Sequence, residues 1–273
     1  MTDAEYILGH SDSEIRRLVL QATLLRPLTE RLLRDAGLAP GMRVLDVGCG
    51  VGDVAMLAAS IVGPSGQVVG IDREATAINA ARQRAAASGL TIQYHQAAIE
   101  NCPDLGHFDC AIGRKVLVYQ PDPVLFLRRL VSHVRPGGVV AFHEALVTRD
   151  LLHLNRGPLW QRIVDVTVSV FAVAVRHPDI AARLVETFHA AGLDDATVRC
   201  EIMTYSQPDN PVFTWITEVV RSSLPYIERL GLASAEELDL DTLAERLRME
   251  AVALHSQIIF PAQFTCWAHT PGG

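Results

Sequence analysis

The sequence predicts an α/β fold, a mostly parallel sheet with helices on both faces. Three observations predict it. Short apolar runs alternate with helical patterns from residue 42 to residue 143, as strand-crossover-strand units require. Glycine and proline breaks separate the segments. A chain of 273 residues, 49% hydrophobic, is long enough to bury one large core, or a core carrying a sizeable insertion.

Apolar residues at helical spacing between Ser13 and Ala36, among them Leu18, Leu25, Leu28 and Leu32, predict amphipathic helices ahead of the core. Met42 to Val47 reads as the first strand. Asp53 then caps a helix whose apolar face is Val54, Leu57, Ala58 and Ile61, ended by Gly63-Pro64. Gln67 to Ile71 is strand two. A helix from Glu74 to Ser88 closes at Gly89, and Thr91 to Ala97 is strand three. Phe108 to Ile112 is strand four, followed by a helix opened by Asp122 and Pro123 and broken at Pro136-Gly137-Gly138. Val139 to His143 is strand five. Beyond it the pattern is less regular: helices over 151–175 and 179–191, a strand over 197–204, helices over 211–230 and 234–254, and a last strand from Phe264 to His269. Ser234 and Glu237 have capping-box spacing.

Five cysteines, odd in number, widely spaced and never in a C-x-x-C pair, argue against a disulfide framework or a zinc site. The net charge of −7 offers no basic surplus for nucleic acid or an acidic membrane. The N-terminus mixes acids, bases and polar groups where an export signal needs an apolar core, and the most apolar run, Ile163 to Val175, contains Asp165 and is too short for a bilayer. A cytoplasmic protein without membrane or nucleic-acid partners is expected. No group of carboxylates and histidines has metal-site spacing.

The most informative stretch is Asp46-Val47-Gly48-Cys49-Gly50-Val51-Gly52-Asp53, a buried strand delivering an acid and three alternate glycines to a helix N-terminus. Glycine lets a ligand lie against the backbone. Asp46 suits a cationic ammonium group. The spacing is not the G-x-G-x-x-G of a dinucleotide fingerprint, and carboxylates at both ends would repel a pyrophosphate. Asp72, with Arg73 beside it, ends strand two, where a carboxylate can accept both hydroxyls of a ribose. Ala98 and Ile99 end strand three and offer a backbone N–H and an apolar wall to an adenine. A glycine turn alone is also an ordinary feature of any α/β sheet.

Over residues 37–144 these motifs resemble the class I S-adenosylmethionine-dependent methyltransferases, specifically small-molecule enzymes similar to the ubiquinone and menaquinone methyltransferase group. The resemblance implies a Rossmann-like seven-stranded sheet with an antiparallel last strand, an N-terminal helical segment over 1–36, a core over 37–147, and helical lid insertions with the closing strands over 148–273. It assigns the methionine end of S-adenosylmethionine to Asp46, Gly48, Gly50 and Gly52, and its ribose to Asp72. Gly113 and Arg114 would lie near the methionine carboxylate and sulfonium, with Arg114 pairing that carboxylate. Many relatives carry an aspartate where Ala98 stands, so adenine must find another partner here.

Acceptor-side candidates follow from the rule that ligands bind beyond the carboxyl ends of the strands. His143, Glu144 and Tyr119 lie there and could move a proton. Tyr6 and His10 belong to an N-terminal segment that in relatives folds over the cofactor. His153, Trp160 and Trp215 could line an apolar acceptor pocket. The expected activity is methyl transfer to a small, apolar or aromatic acceptor. Quinone-ring C-methylation and a non-catalytic, regulatory cofactor-binding role are the alternatives, and a homodimer is expected from the apolar inserted helices.

Overall fold

The computed structural model describes residues 12–102 and 105–272. In chain order its elements are α1 (Asp12–Asp35), β1 (Arg43–Val47), α2 (Asp53–Val62), β2 (Gln67–Asp72), α3 (Ala75–Ala87), β3 (Gln93–Gln96), β4 (Phe108–Arg114), α4 (Pro123–Val131) and β5 (Val134–Leu146). They continue as α5 (Arg149–Leu152), α6 (Pro158–Ala174), α7 (Leu184–Ala190), β6 (Thr197–Glu201), β7 (Thr204–Tyr205), α8 (Val212–Arg229), α9 (Ala235–Leu238), α10 (Leu240–Ala253), β8 (Ile258–Ile259) and β9 (Ala262–His269). The N-terminal pattern forms one helix that continues through Pro27.

The chain divides into two compact units. The sheet unit comprises Leu25–Glu144, Asp179–Cys200 and the stretch from Phe264 onward. Its seven strands are ordered β3-β2-β1-β4-β5-β9-β6. β1 pairs in parallel with β2 and β4, β2 with β3, and β4 with β5. Thr270, just after β9, donates to the Gly138 carbonyl near the start of β5 at 2.8 Å, so β9 runs antiparallel to β5. Successive strand residues point to opposite faces, which is how one strand feeds two cores. Leu45, Val69 and Phe142 pack with Phe126 and Leu130 of α4 and Phe188 of α7. Val44, Val68 and Cys110 pack with Leu32 of α1, Leu57 of α2 and Ile78 of α3.

Among the described residues the helical unit comprises 12–24, Ala145–Pro178 and Glu201–Gln263. Within it α8 packs against α6 and α10, and β7 pairs antiparallel with β8. Glu250 of α10 caps α6, accepting the Leu159 N–H at 2.8 Å and the Trp160 N–H at 3.0 Å, two donors that have no partner inside their own helix.

Several local expectations are corrected. Gly52, not Asp53, is the N-cap of α2, at φ 86°. Asp53 lies in the first turn and pairs with Arg84 at 2.6 Å. Pro136-Gly137-Gly138 ends no helix: α4 stops at Val131, and β5 runs through these residues with a register shift that opposes Phe108 to Val134 and Cys110 to Val139. The expected strand over 197–204 divides into β6 and β7, which belong to different sheets. The expected helix over 234–254 breaks at Asp239, whose φ is 45°, though the capping box forms as the spacing predicts, with the Glu237 N–H donating to Ser234 Oγ.

Candidate functional site

The candidate residues of the sheet unit lie at or just beyond the carboxyl ends of β1 to β5. β1 ends in the glycine turn because all three glycines take positive φ, 64° at Gly48, 52° at Gly50 and 86° at Gly52, a region that L side chains avoid. Their surroundings differ. A Cβ on Gly48 would lie 2.7 Å from Val116 Cγ2, and one on Gly52 would lie 2.5 Å from the Tyr94 hydroxyl. A Cβ on Gly50 meets nothing within 4 Å. The outer glycines are therefore required by packing, and the middle one presents backbone to open space.

Asp46 is 1% exposed. Burial pushes its carboxyl up to about 8, against the Arg114 guanidinium and the Ala55 backbone N–H, which favour ionisation. Its Oδ2 has no hydrogen-bond partner among the described residues. A buried acceptor without a donor is costly in a native interior, and a ligand ammonium beside it would remove that cost. Asp72, at the end of the neighbouring strand, accepts the Gly50 N–H on Oδ2 at 2.8 Å and the Glu74 N–H on Oδ1 at 3.0 Å. Each oxygen retains a second lone pair, so the group can hold the loop and still receive hydroxyls.

Arg114 ends β4 opposite His143 of β5. Thr29 of α1 joins the two: its Oγ1 lies 3.0 Å from His143 Nδ1 and receives Arg114 Nη1 at 3.4 Å, while donating its own proton to the Leu25 carbonyl at 3.1 Å. With that proton used, Nδ1–H of His143 is the donor in the first pair. Sequence reasoning missed Thr29, since a threonine in an amphipathic helix carries no pattern.

Gly113 faces the sheet partner: a Cβ there would lie 2.5 Å from the Phe142 ring. Arg73 is exposed. The Ala98 N–H, expected to face an adenine, is taken by Asn101 Oδ1 at 2.8 Å, and Ile99 is buried in the apolar core. His143 is fully buried, and Glu144, 1% exposed, accepts two backbone N–H groups on Oε1; neither side chain is exposed to solvent. Tyr119 is half-buried in the turn after β4. Tyr6 and His10 lie outside the described residues.

In the helical unit, Trp160 and Trp215 are buried with indole N–H groups that have no partner among the described residues. The Trp215 ring lies 4.7 Å from that of Phe260. His153 Nε2 lies 3.0 Å from Asp165 Oδ1. Among the described residues no helix is long and apolar enough to cross a membrane, and no group of three His, Cys, Asp or Glu side chains could hold a metal ion.

Residues 38–165, which contain the glycine turn, Asp72 and the ends of β4 and β5, match a family model described as a methyltransferase domain. This stretch is a methyltransferase domain. The chain is 35% identical over 162 residues to nocamycin O-methyltransferase of Saccharothrix syringae, covering 58% of each protein. It is 40% identical over 137 residues to 2-phytyl-1,4-naphtoquinone methyltransferase of Synechococcus elongatus, covering 49% of this chain and 56% of that one. It is 39% identical over 111 residues to a ubiquinone biosynthesis O-methyltransferase of Aromatoleum aromaticum, covering 40% and 46%. The methyltransferase domain thus lies in a chain that spans about half the length of the curated relatives it matches.

Two solved structures share the fold of that domain and its surroundings. One is YcgJ of Bacillus subtilis, with a TM-score of 0.52 at 16% identity over 90% of this chain and 98% of that one. The other is the [4+2]-cyclase SpnF, with a TM-score of 0.52 at 17% identity over 90% and 82%. A fold shared with a cyclase does not by itself specify methyl transfer.

Proposed function

We propose that the protein transfers the methyl group of S-adenosylmethionine to a small organic acceptor. One observation carries the reading: two carboxylates, Asp46 and Asp72, end adjacent parallel strands on either side of a glycine turn whose middle residue faces open space. An α-amino acid joined to a ribose needs that pattern. Asp46 meets the ammonium, Asp72 meets the ribose hydroxyls, and Arg114, held by Thr29, meets the carboxylate.

The cofactor supplies a methyl group already activated by its sulfonium. What remains for the chain is to hold the acceptor in line and exclude water. Tyr119, in the turn after β4, is the acceptor-side group that we retain. His143 keeps Arg114 in place through Thr29. Within the helical unit, the buried indole N–H groups of Trp160 and Trp215 are donors suited to a ligand oxygen. A net charge of −7 favours a small-molecule acceptor over nucleic acid.

Titration calorimetry with S-adenosylmethionine and with NADH tests the cofactor, and an acceptor screen with quinones and phenols tests the transfer. Binding of NADH in preference would overturn the reading. The naphthoquinone relative favours a quinone-ring carbon as the second reading. A non-catalytic, regulatory cofactor-binding role is the third reading, and cofactor binding with no methyl loss across the screen would support it.

A further inference from the structure

We propose that Glu144 is a positioning residue that sets the cofactor loop from the far side of β4, an inference that rests on the proposed cofactor reading. Its Oε1 accepts the Val116 N–H at 2.9 Å and the Leu117 N–H at 2.8 Å. The preceding residue of β5, His143, accepts the Lys115 N–H at 2.8 Å on its carbonyl. Two consecutive residues of β5 thus grip three consecutive N–H groups of the turn after β4.

The turn needs that grip. Lys115 has φ 57°, a left-handed conformation that a side chain with a Cβ adopts at a cost of about 1–2 kcal/mol. A strained residue persists when its surroundings over-determine it, and the bonds from His143 and Glu144 do so here. The turn in its fixed form carries Val116, which is buried against the cofactor loop: a Cβ on Gly48 would lie 2.7 Å from Val116 Cγ2. Position therefore passes from the Glu144 carboxylate through the Val116 backbone and side chain to Gly48, the first glycine of the loop.

The same geometry commits Glu144 Oε1 to the backbone and favours positioning over proton transfer. A general base must reach the proton it abstracts, whereas this carboxylate is 1% exposed and one of its oxygens is committed to backbone.

Glu144→Gln and Glu144→Ala separate the two roles. Glutamine retains a carbonyl oxygen for the two N–H groups and cannot act as a base; alanine loses both functions. The expected result is that Glu144→Gln binds S-adenosylmethionine within about threefold of the native protein, whereas Glu144→Ala loses affinity by about tenfold or more, as two backbone N–H groups are left without an acceptor. Hydrogen exchange of the free proteins should show faster exchange at residues 116 and 117 and in the loop at 48–52 in Glu144→Ala alone. Should Glu144→Ala fail to fold, Val116→Ala keeps the clamp and removes its contact with Gly48, and the same loss of affinity is expected. Native affinity in Glu144→Ala or in Val116→Ala would overturn the proposal. So would equal loss of turnover in the glutamine and alanine variants with affinity kept in both. A native protein that fails to bind S-adenosylmethionine would overturn the cofactor reading instead, and the exchange experiment would still report on the clamp.

Discussion

Asp72 holds the glycine loop directly: its Oδ2 accepts the Gly50 N–H at 2.8 Å across the gap between the ends of β2 and β1. The same carboxylate fixes the turn into α3 through Glu74. Asp72→Ala should therefore lose both the proposed ribose acceptor and the loop tether, lowering S-adenosylmethionine affinity by at least about tenfold. Asp72→Asn keeps one acceptor oxygen and should fall between the two. Calorimetry on the three proteins checks the order.

Asp46 should lose a proton when the cofactor binds. Burial holds its carboxyl at about 8 in the free protein, so near neutral pH it is largely protonated. An ammonium against it favours the ionised form. Protons then compete with the ligand, so affinity should rise from pH 6 to pH 8 and level off above. Binding enthalpies near neutral pH, measured in two buffers of different ionisation enthalpy, should reveal proton release that Asp46→Asn abolishes.

Stability should fall as pH rises through the window between the ordinary carboxylate range and neutrality. Burial raises Glu144 from 4.5 to about 7 and Asp46 from 3.8 to about 8. In that window the folded chain retains protons that the unfolded chain has released, and the linkage slope is negative. The two groups contribute most favourably below the unfolded values and lose that contribution as pH climbs past the folded ones. Urea midpoints at pH 5.5 and 8 check the sign, and Glu144→Gln should flatten the slope.

Gly48→Ala and Gly50→Ala should fail differently. Both residues have positive φ, which costs alanine about 1–2 kcal/mol. Gly48→Ala adds a collision with Val116, so its melting temperature should drop further. Gly50→Ala adds none inside the protein, yet its methyl enters the space where the cofactor would lie. It should retain most of the stability and lose binding, as paired melting curves and titrations would show.

In the helical unit, Glu250→Ala strips two hydrogen bonds from the start of α6. A cost of about 1–3 kcal/mol is expected from two charge-assisted caps, read as a lowered melting temperature. Glu250→Gln should recover part of it.

The core strand segments along the chain, the glycine turn, and the acids at 46 and 72 were legible in the sequence because each is a local matter. Strand periodicity, positive φ and a carboxylate at a strand end are written within a few consecutive residues. The methyltransferase resemblance needed only those residues. The Ser234–Glu237 capping box, three residues apart, was legible for the same reason.

What only the tertiary structure decided is how distant groups meet. Thr29 joins Arg114 to His143 across 85 and 114 residues of sequence, and Glu250 caps a helix 91 residues before it. His143 and Glu144, read from the chain as acceptor-side groups beyond the strand ends, are enclosed, and Asn101 takes the Ala98 N–H meant for a ligand. Residue type and spacing specify what a side chain can do. Burial and partner specify which of those things it does, because a group's desolvation and hydrogen bonds depend on neighbours that the chain brings together only on folding.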